Sequence, residues 1–272
     1  ICVYLCSSVA NFLLTRKQLM RESRWLTGAL VLLYIFLLGP FLVIFIAAFG
    51  ADSTLAFPPR GGFTLDWFVN VFNTSQFVDS FWISLGIALV ATGIALLLGI
   101  PVAYALVNFR FPGQGLLETI FSSPVLVPGL VIGFAMLRFF VLLGDFDVML
   151  GLLIGHTAIL VPYSVRVISA SLRNLDPGIE EAAISLGATR LRGFLLVVLP
   201  NERSGMAAAF ILAFITSFNN VPVSLFLTGP GVTTLPISML VYMEYYYDPT
   251  IAALSTLLII FSVVLVQGAE RL

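Results

Sequence analysis

Residues 173–194 read RNLDPGIEEAAISLGATRLRGF and interrupt two long apolar runs. Asp176 before Pro177 is an N-cap followed by a residue suited to the first helical position, where the missing N–H of proline costs nothing. Glu180 and Glu181 fall in the first turns, where the helix dipole favours negative charge. Ile179, Ala183 and Leu186 recur at helical spacing and predict one apolar stripe. Gly187 is a C-terminal stop that tolerates a left-handed backbone. Thr189 then caps a second helix, which carries Arg190 and Arg192 into Val197-Val198-Leu199-Pro200. The whole connection, about 173–203, is too long for a plain link between helices. Its first helix, about ten residues and ~15 Å long, cannot bury its own stripe. The partner is the protein's own helix ends, the lipid interface or another protein. A membrane-surface helix would carry Lys/Arg on its polar face, so Glu180 and Glu181 argue for a protein groove.

Outward from this loop the chain is apolar. Of 272 residues, 60% are hydrophobic and 10% are charged, against about a quarter charged in a soluble domain. The solvent for such a surface is a bilayer. Six runs reach spanning length: Trp25–Gly50, Ser80–Asn108, Leu116–Leu143, Gly151–Leu172, Ser204–Phe226 and Pro249–Gly268. Helices are expected because lipid offers no partner for backbone N–H and C=O. The runs do not alternate, which disfavours a barrel. The expected fold is all-α and integral to the membrane, with about six transmembrane helices and one cytoplasmic helical loop.

Arg16, Lys17, Arg21 and Arg24 precede the first run, and Arg110 lies in the second connection. Arg166, Arg173, Arg190, Arg192 and Arg203 surround the long loop, and Arg271 closes the chain. The opposite side holds Arg60 and Arg138 but collects Asp52, Asp66, Asp79, Asp145, Asp147, Glu244 and Asp248. The Lys/Arg bias places both termini and the 173–203 loop in the cytoplasm. Residues 1–24 read as a clipped cytoplasmic flank and residues 25–272 as one transmembrane domain. The apolar stretch Ile1–Leu14 is too short to span. Cys2 and Cys6 form no ligand pattern with His156 and read as apolar positions. Pro124, Pro128, Gly129 and Pro162 are expected to bend spans three and four. Gly205, Ala207, Ala208 and Ala209 permit close helix approach in the fifth.

Glu181-Ala182-Ala183, three residues, Gly187, nine residues and Val197-Val198-Leu199-Pro200 resemble the EAA signature of ABC importer permeases. Val197 in place of isoleucine is the one departure. Val161-Pro162-Tyr163 to Arg166, Ser217 to Pro230, Thr234 to Pro236 and Pro249 to Thr256 are similar to permeases of the spermidine/putrescine type. The similarity runs from about residue 25 to 270. It implies a type I importer permease whose coupling helices enter a cleft on a separate ATPase dimer. Glu180, Glu181, Ala182, Ala183, Leu186 and Gly187 would form that contact. Glu181 would supply charge, the alanines close approach, and Gly187 the turn between helices. The resemblance further implies a second permease subunit, same or related, and a periplasmic or extracellular substrate-binding protein. ATP and Mg would be bound by the ATPase, with no cofactor, metal or catalytic residue in this chain and no nucleic-acid partner. The implied location is the bacterial inner membrane, multi-pass and surrounded by lipid.

The substrate path is less legible. No carboxylate lies deep in a span, and Glu118 is near the cytoplasmic start of the third. Asn219 and Asn220 are the polar candidates, with Tyr163, Ser217 and Ser224 beside them; bonding to neighbouring helices is the alternative reading. Many polyamine-type relatives are acidic at the Asn219–Asn220 position and this chain is not, which argues against a strictly polyamine substrate, so the expected solute is a polyamine or another small organic molecule. Asp145, Asp147, Glu244 and Asp248 around Tyr242, Tyr245, Tyr246 and Tyr247 form either an interfacial aromatic belt or a dock for a binding protein. His156 reads as a packed, hydrogen-bonded residue. A membrane enzyme would need a nucleophile with a base, or a metal set, and neither pattern is visible. A self-contained carrier or channel is the remaining alternative, although the intramembrane charges of many carriers are missing.

Overall fold

The computed structural model describes residues 24–54, 57–59, 61–122, 127–144 and 146–270. Ile1–Leu14 with Cys2 and Cys6, the side chain of Arg24, and Arg16, Lys17, Arg21, Arg60, Pro124, Asp145 and Arg271 lie outside them. Among the described residues the only β pairings are isolated bridges, Gly50 with Phe63 and Gly229 with Val232. Everything else of regular form is helical.

The chain divides into two compact units. The first takes in residues 1–68 and 248–256. It contains α1 (Arg24–Ala48), an apolar helix exposed along most of its length and, among the described residues, buried only at Ala47 and Ala48. Leu32 and Phe36 on it are 68% and 78% exposed, a surface that only lipid or another apolar chain can cover. After α1 the chain turns back through the Gly50–Phe63 bridge, where Trp67 Nε1 donates to the Gly50 carbonyl at 2.7 Å.

The second unit, residues 69–247 and 257–272, carries the functional loop. Between the units' segments runs α2 (Asp66–Asn73), followed by α3 (Ser75–Asn108), 34 residues long. Ala91, Ala95, Gly99 and Ala103 repeat every four residues along α3 and are all buried. That small-residue row lets the backbone of α6 (Val148–Leu172) approach closely. A Cβ on Gly99 would come within 3.0 Å of Ser164 Cβ. Leu160, Val165, Ile168 and Leu172 of α6 complete this interface.

The predicted third span is not one helix. It consists of α4 (Gln114–Ser122) and α5 (Gly129–Leu143), with Pro128 heading the second piece in a non-helical conformation (φ −55°, ψ 130°). Proline lacks an N–H and forces its predecessor away from helical dihedrals, so an apolar run alone cannot carry a helix through it.

The long loop contains α7 (Gly178–Ser185) and α8 (Arg190–Gly193), then a π-helical turn at Phe194–Val198 and α9 (Leu199–Asn201). Glu202 stops that segment at φ −89°, ψ 8°, and α10 (Arg203–Phe218) leaves it at 70°. Pro200, which cannot donate to Leu196, accounts for the loosened ladder. The predicted fifth span Ser204–Phe226 begins within one residue of α10 but differs at its far end: α10 stops at Phe218, and a short α11 (Ser224–Leu227) follows a break. The unit ends with α12 (Leu235–Tyr245) and the distal part of α13 (Thr250–Glu270). Among the described residues four helices are long and apolar enough to cross a membrane: Thr27–Ala48, α3, α6 and Thr250–Gly268. The bent pair Arg190–Asn201 and Arg203–Phe218, taken together, adds a fifth. The sixth predicted crossing is the divided α4–α5 pair.

Candidate coupling loop and translocation path

The first half of the loop is built as the sequence dictates. Asp176 accepts the Gly178 N–H at 2.9 Å, and Pro177 already has helical dihedrals (φ −62°, ψ −22°). At the far end Gly187 has φ +95°. Its N–H donates to Ile184 O at 2.9 Å, and the Ala188 N–H to Ala183 O at 3.1 Å. This paired closure satisfies the last carbonyls of the helix and favours glycine at 187. Thr189 Oγ1 accepts the Arg192 N–H at 3.4 Å and starts α8.

The apolar stripe is split. Ile179 and Ala183 are half-buried, whereas Leu186 is 90% exposed because it lies past the last helical residue. Glu181 and Ala182 are exposed with it. Ile184 and Leu191 add apolar side chains at 37% and 67% exposure.

The opposite face is fastened to the end of α3. Tyr104 donates its hydroxyl proton to Glu180 Oε1. Phe194 packs on Tyr104 with ring centroids 4.4 Å apart, and the Arg190 guanidinium lies 5.4 Å from the Phe109 ring centroid. A charge-assisted hydrogen bond contributes about 1.5–3 kcal/mol, and the exposed cation–π contact about 0.5–1 kcal/mol. Gly193 lies beside Glu180, whose Cγ a Cβ there would meet at 3.4 Å, an ordinary contact. Arg173 pairs with Glu118 at 3.3 Å, but both are well exposed and the pair adds little. At the bend Ser171 donates to the buried Glu202 at 2.6 Å.

The residues expected to line a path do not behave alike. Tyr163 is half-buried beside Ala91, Ala95, Leu160 and Ala213. Ser217 is 2% exposed and bonded to His156 Nδ1 at 2.8 Å, and Ser224 is buried and bonded to Nε2 at 3.0 Å. Asn220 turns inward, its Oδ1 accepting the Val223 N–H at 2.9 Å. Asn219 is exposed. Sequence reasoning missed Tyr104, which carries no motif and lies 76 positions from Glu180. At the other end of α3, Phe77 packs on Tyr242, and Tyr242 stacks on Tyr246 at 4.5 Å. Among the described residues no group of His, Cys, Asp and Glu could hold a metal ion.

Residues 95–271 match the family described as the binding-protein-dependent transport system inner membrane component. The chain belongs to that family. This permease is 31% identical to the putrescine transport system permease protein PotI of Escherichia coli K12, over 88% of its own length and 86% of the relative's. It is 28% identical to the spermidine/putrescine transport system permease protein PotC of the same organism, over 89% and 91% of the two chains. In fold it is similar to a chain of a bacterial ABC transporter that imports the acidic polysaccharide alginate (TM-score 0.70, 19% identity, 92% of this chain and 97% of that one). It is also similar to a chain of the MetNI methionine ABC transporter (TM-score 0.59, 22% identity, 73% and 94%). The permease is therefore an all-α transmembrane subunit of an ABC importer of the inner membrane.

Proposed function

We propose that this permease forms half of a translocation pathway and is driven by a separate ABC ATPase dimer that receives α7 in a cleft. The observation that carries the reading is the two-sided character of α7. Glu180 is held by Tyr104, while Glu181, Ala182 and Leu186 face outward from a rigid, capped helix. Leu186 fills an apolar socket in the partner, Glu181 pairs with a cation at its rim, and Ala182 and Ala183 keep the helix narrow enough to enter. Closure of the ATPase dimer around ATP and Mg displaces α7, and the brace to α3 transmits that displacement to the membrane helices as rigid-body motion. The chain has no catalytic site of its own. A second permease subunit, same or related, completes the path, and a periplasmic or extracellular binding protein delivers solute to the opposite face. The termini and the 173–203 loop are cytoplasmic.

The solute class is small amines, polyamines among them. The names of the two Escherichia coli relatives support this assignment.

The test is co-purification of the full chain from membranes in a detergent that preserves complexes, with Glu181→Ala and Leu186→Ala alongside. Recovery of an ABC ATPase with wild type, reduced about tenfold in either variant, is the expected result; tenfold corresponds to ~1.4 kcal/mol. Recovery of the chain alone, with solute transport in vesicles lacking any ATPase, would overturn the proposal and assign a self-contained carrier.

A further inference from the structure

The break between α10 and α11 removes backbone hydrogen bonds, and two residues decide which. Pro222 stands four positions after Phe218 and has no N–H to give its carbonyl. Val223 stands four after Asn219, but its N–H goes to the Asn220 side chain at 2.9 Å. Among the described residues no backbone N–H is bonded to the Phe218 or Asn219 carbonyl. Irregular backbone inside a bilayer is sustained only where it is buried in protein or lines a polar cavity. Both carbonyls belong to the C-terminal end of the 16-residue α10, where the helix dipole is negative.

The break is pinned from one side by α6. The His156 ring is 2% exposed, and its two nitrogens bridge Ser217, before the break, and Ser224, after it, at 2.8 and 3.0 Å. One nitrogen donates and the other accepts, so one serine receives a proton from the ring and the other gives one. From the other side α5 closes on the same turn: a Cβ on Gly133 would meet the Pro222 carbonyl oxygen at 2.7 Å.

We propose that His156 is a positioning residue for transport: by fixing Ser217 and Ser224 it holds the Phe218 and Asn219 carbonyls and the Asn219 amide as a set of neutral acceptors for an ammonium-bearing solute. Neutral carbonyl dipoles at a helix C-terminus bind a cation without the trapping charge of a carboxylate. The inference rests on the permease reading above and adds to it the group that sets the acceptor geometry.

The experiment is uptake of radiolabelled putrescine and spermidine by the intact complex. KM, Vmax, membrane abundance and ATPase recovery are measured for wild type, His156→Ala, His156→Gln, Ser224→Ala, Asn219→Ala and the His156→Ala/Ser224→Ala double variant. Loss of one buried hydrogen bond is expected to raise KM about tenfold in Ser224→Ala, with abundance and ATPase recovery unchanged. The double variant is expected to stay within about twofold of His156→Ala, since both changes remove one linkage. Asn219→Ala should raise KM alike, and His156→Gln should recover most of the loss.

An unchanged KM in Ser224→Ala and His156→Ala, with Vmax following abundance, would reduce His156 to a packing residue and overturn the proposal. So would an Asn219→Ala chain with wild-type KM. A wild-type complex that recovers its ATPase yet takes up neither amine overturns the solute class, and the positioning role stated for it. Failure to recover the ATPase is instead the failure of the parent reading.

Discussion

Neighbouring carboxylates at 180 and 181 lie about 100° apart around a helix, so one packed element can engage only one of them. Tyr104 takes Glu180, and Glu181 is left exposed. In the sequence the two acids read as equivalent members of one coupling patch; the tyrosine that separates them lies in another span, and no local pattern links positions so far apart. Tyr104→Phe removes the hydroxyl that satisfies Glu180 while keeping the ring against Phe194. It is expected to lower uptake several-fold with chain abundance preserved, the lost charge-assisted bond being about 1.5–3 kcal/mol. The measure is solute transported per ATP hydrolysed: Tyr104→Phe should waste ATP, whereas Glu181→Ala should lose the ATPase itself. At Gly205 a Cβ would collide with Ser171 Oγ and reach 2.7 Å from Glu202 Oε2. Gly205→Ala should therefore break the Ser171–Glu202 bond and destabilise the fold by about 1–3 kcal/mol, seen as a lower midpoint in thermal unfolding in detergent.

Among elements, α7 and the continuous spans α1, α3, α6 and α13 were legible to within a few residues at each end, and the interrupted spans were not. Capping is local chemistry: Asp176, Pro177, Gly187 and Thr189 each act within three or four positions, so their spacing in the sequence is their spacing in the structure. A span is assigned by the composition of a window, which says that a segment resides in lipid and nothing about whether its helix is continuous. The interruption at Pro128 was signalled by the proline itself, whereas the break at 219–223 depends on where individual backbone donors go, which composition does not record. The Ala91–Ala95–Gly99–Ala103 row was present in the sequence and is explained only by the α6 backbone that fills it. Two outcomes follow from these local facts. Gly187→Ala forces a Cβ into φ +95°, which costs roughly 1–2 kcal/mol. It should fray the end of α7 and weaken ATPase recovery, and Gly187→Asn, tolerated in that region, should retain more of it. Gly99→Leu drives four carbons into Ser164 and should abolish accumulation of the chain in membranes, assayed by immunoblot.

At the scale of the whole permease, the two ends of α3 carry different chemistry. Tyr104, near one end, holds the coupling helix; Phe77, near the other, packs against Tyr242 of the acidic, tyrosine-rich segment. Twenty-seven residues at 1.5 Å each separate these contacts by ~40 Å, which is the thickness of a bilayer with its headgroups. That separation is the one expected if, as proposed, the basic 173–203 loop and the acids around Tyr242–Tyr247 lie at opposite membrane faces. Leu186, 90% exposed, and Tyr247, 74% exposed, are probes for each face. With Cys2 and Cys6 replaced by serine, Leu186→Cys and Tyr247→Cys are expected to react with a membrane-impermeant maleimide from opposite sides. In intact cells Tyr247→Cys should be labelled and Leu186→Cys protected; in inside-out vesicles the order should reverse. Leu186→Cys should also lose reactivity when the ATPase is retained in the vesicles, because the proposed docking of α7 would cover it. Labelling of both positions from the same side would contradict the orientation, and an undiminished Leu186→Cys signal with the ATPase bound would place the docking contact elsewhere on the loop.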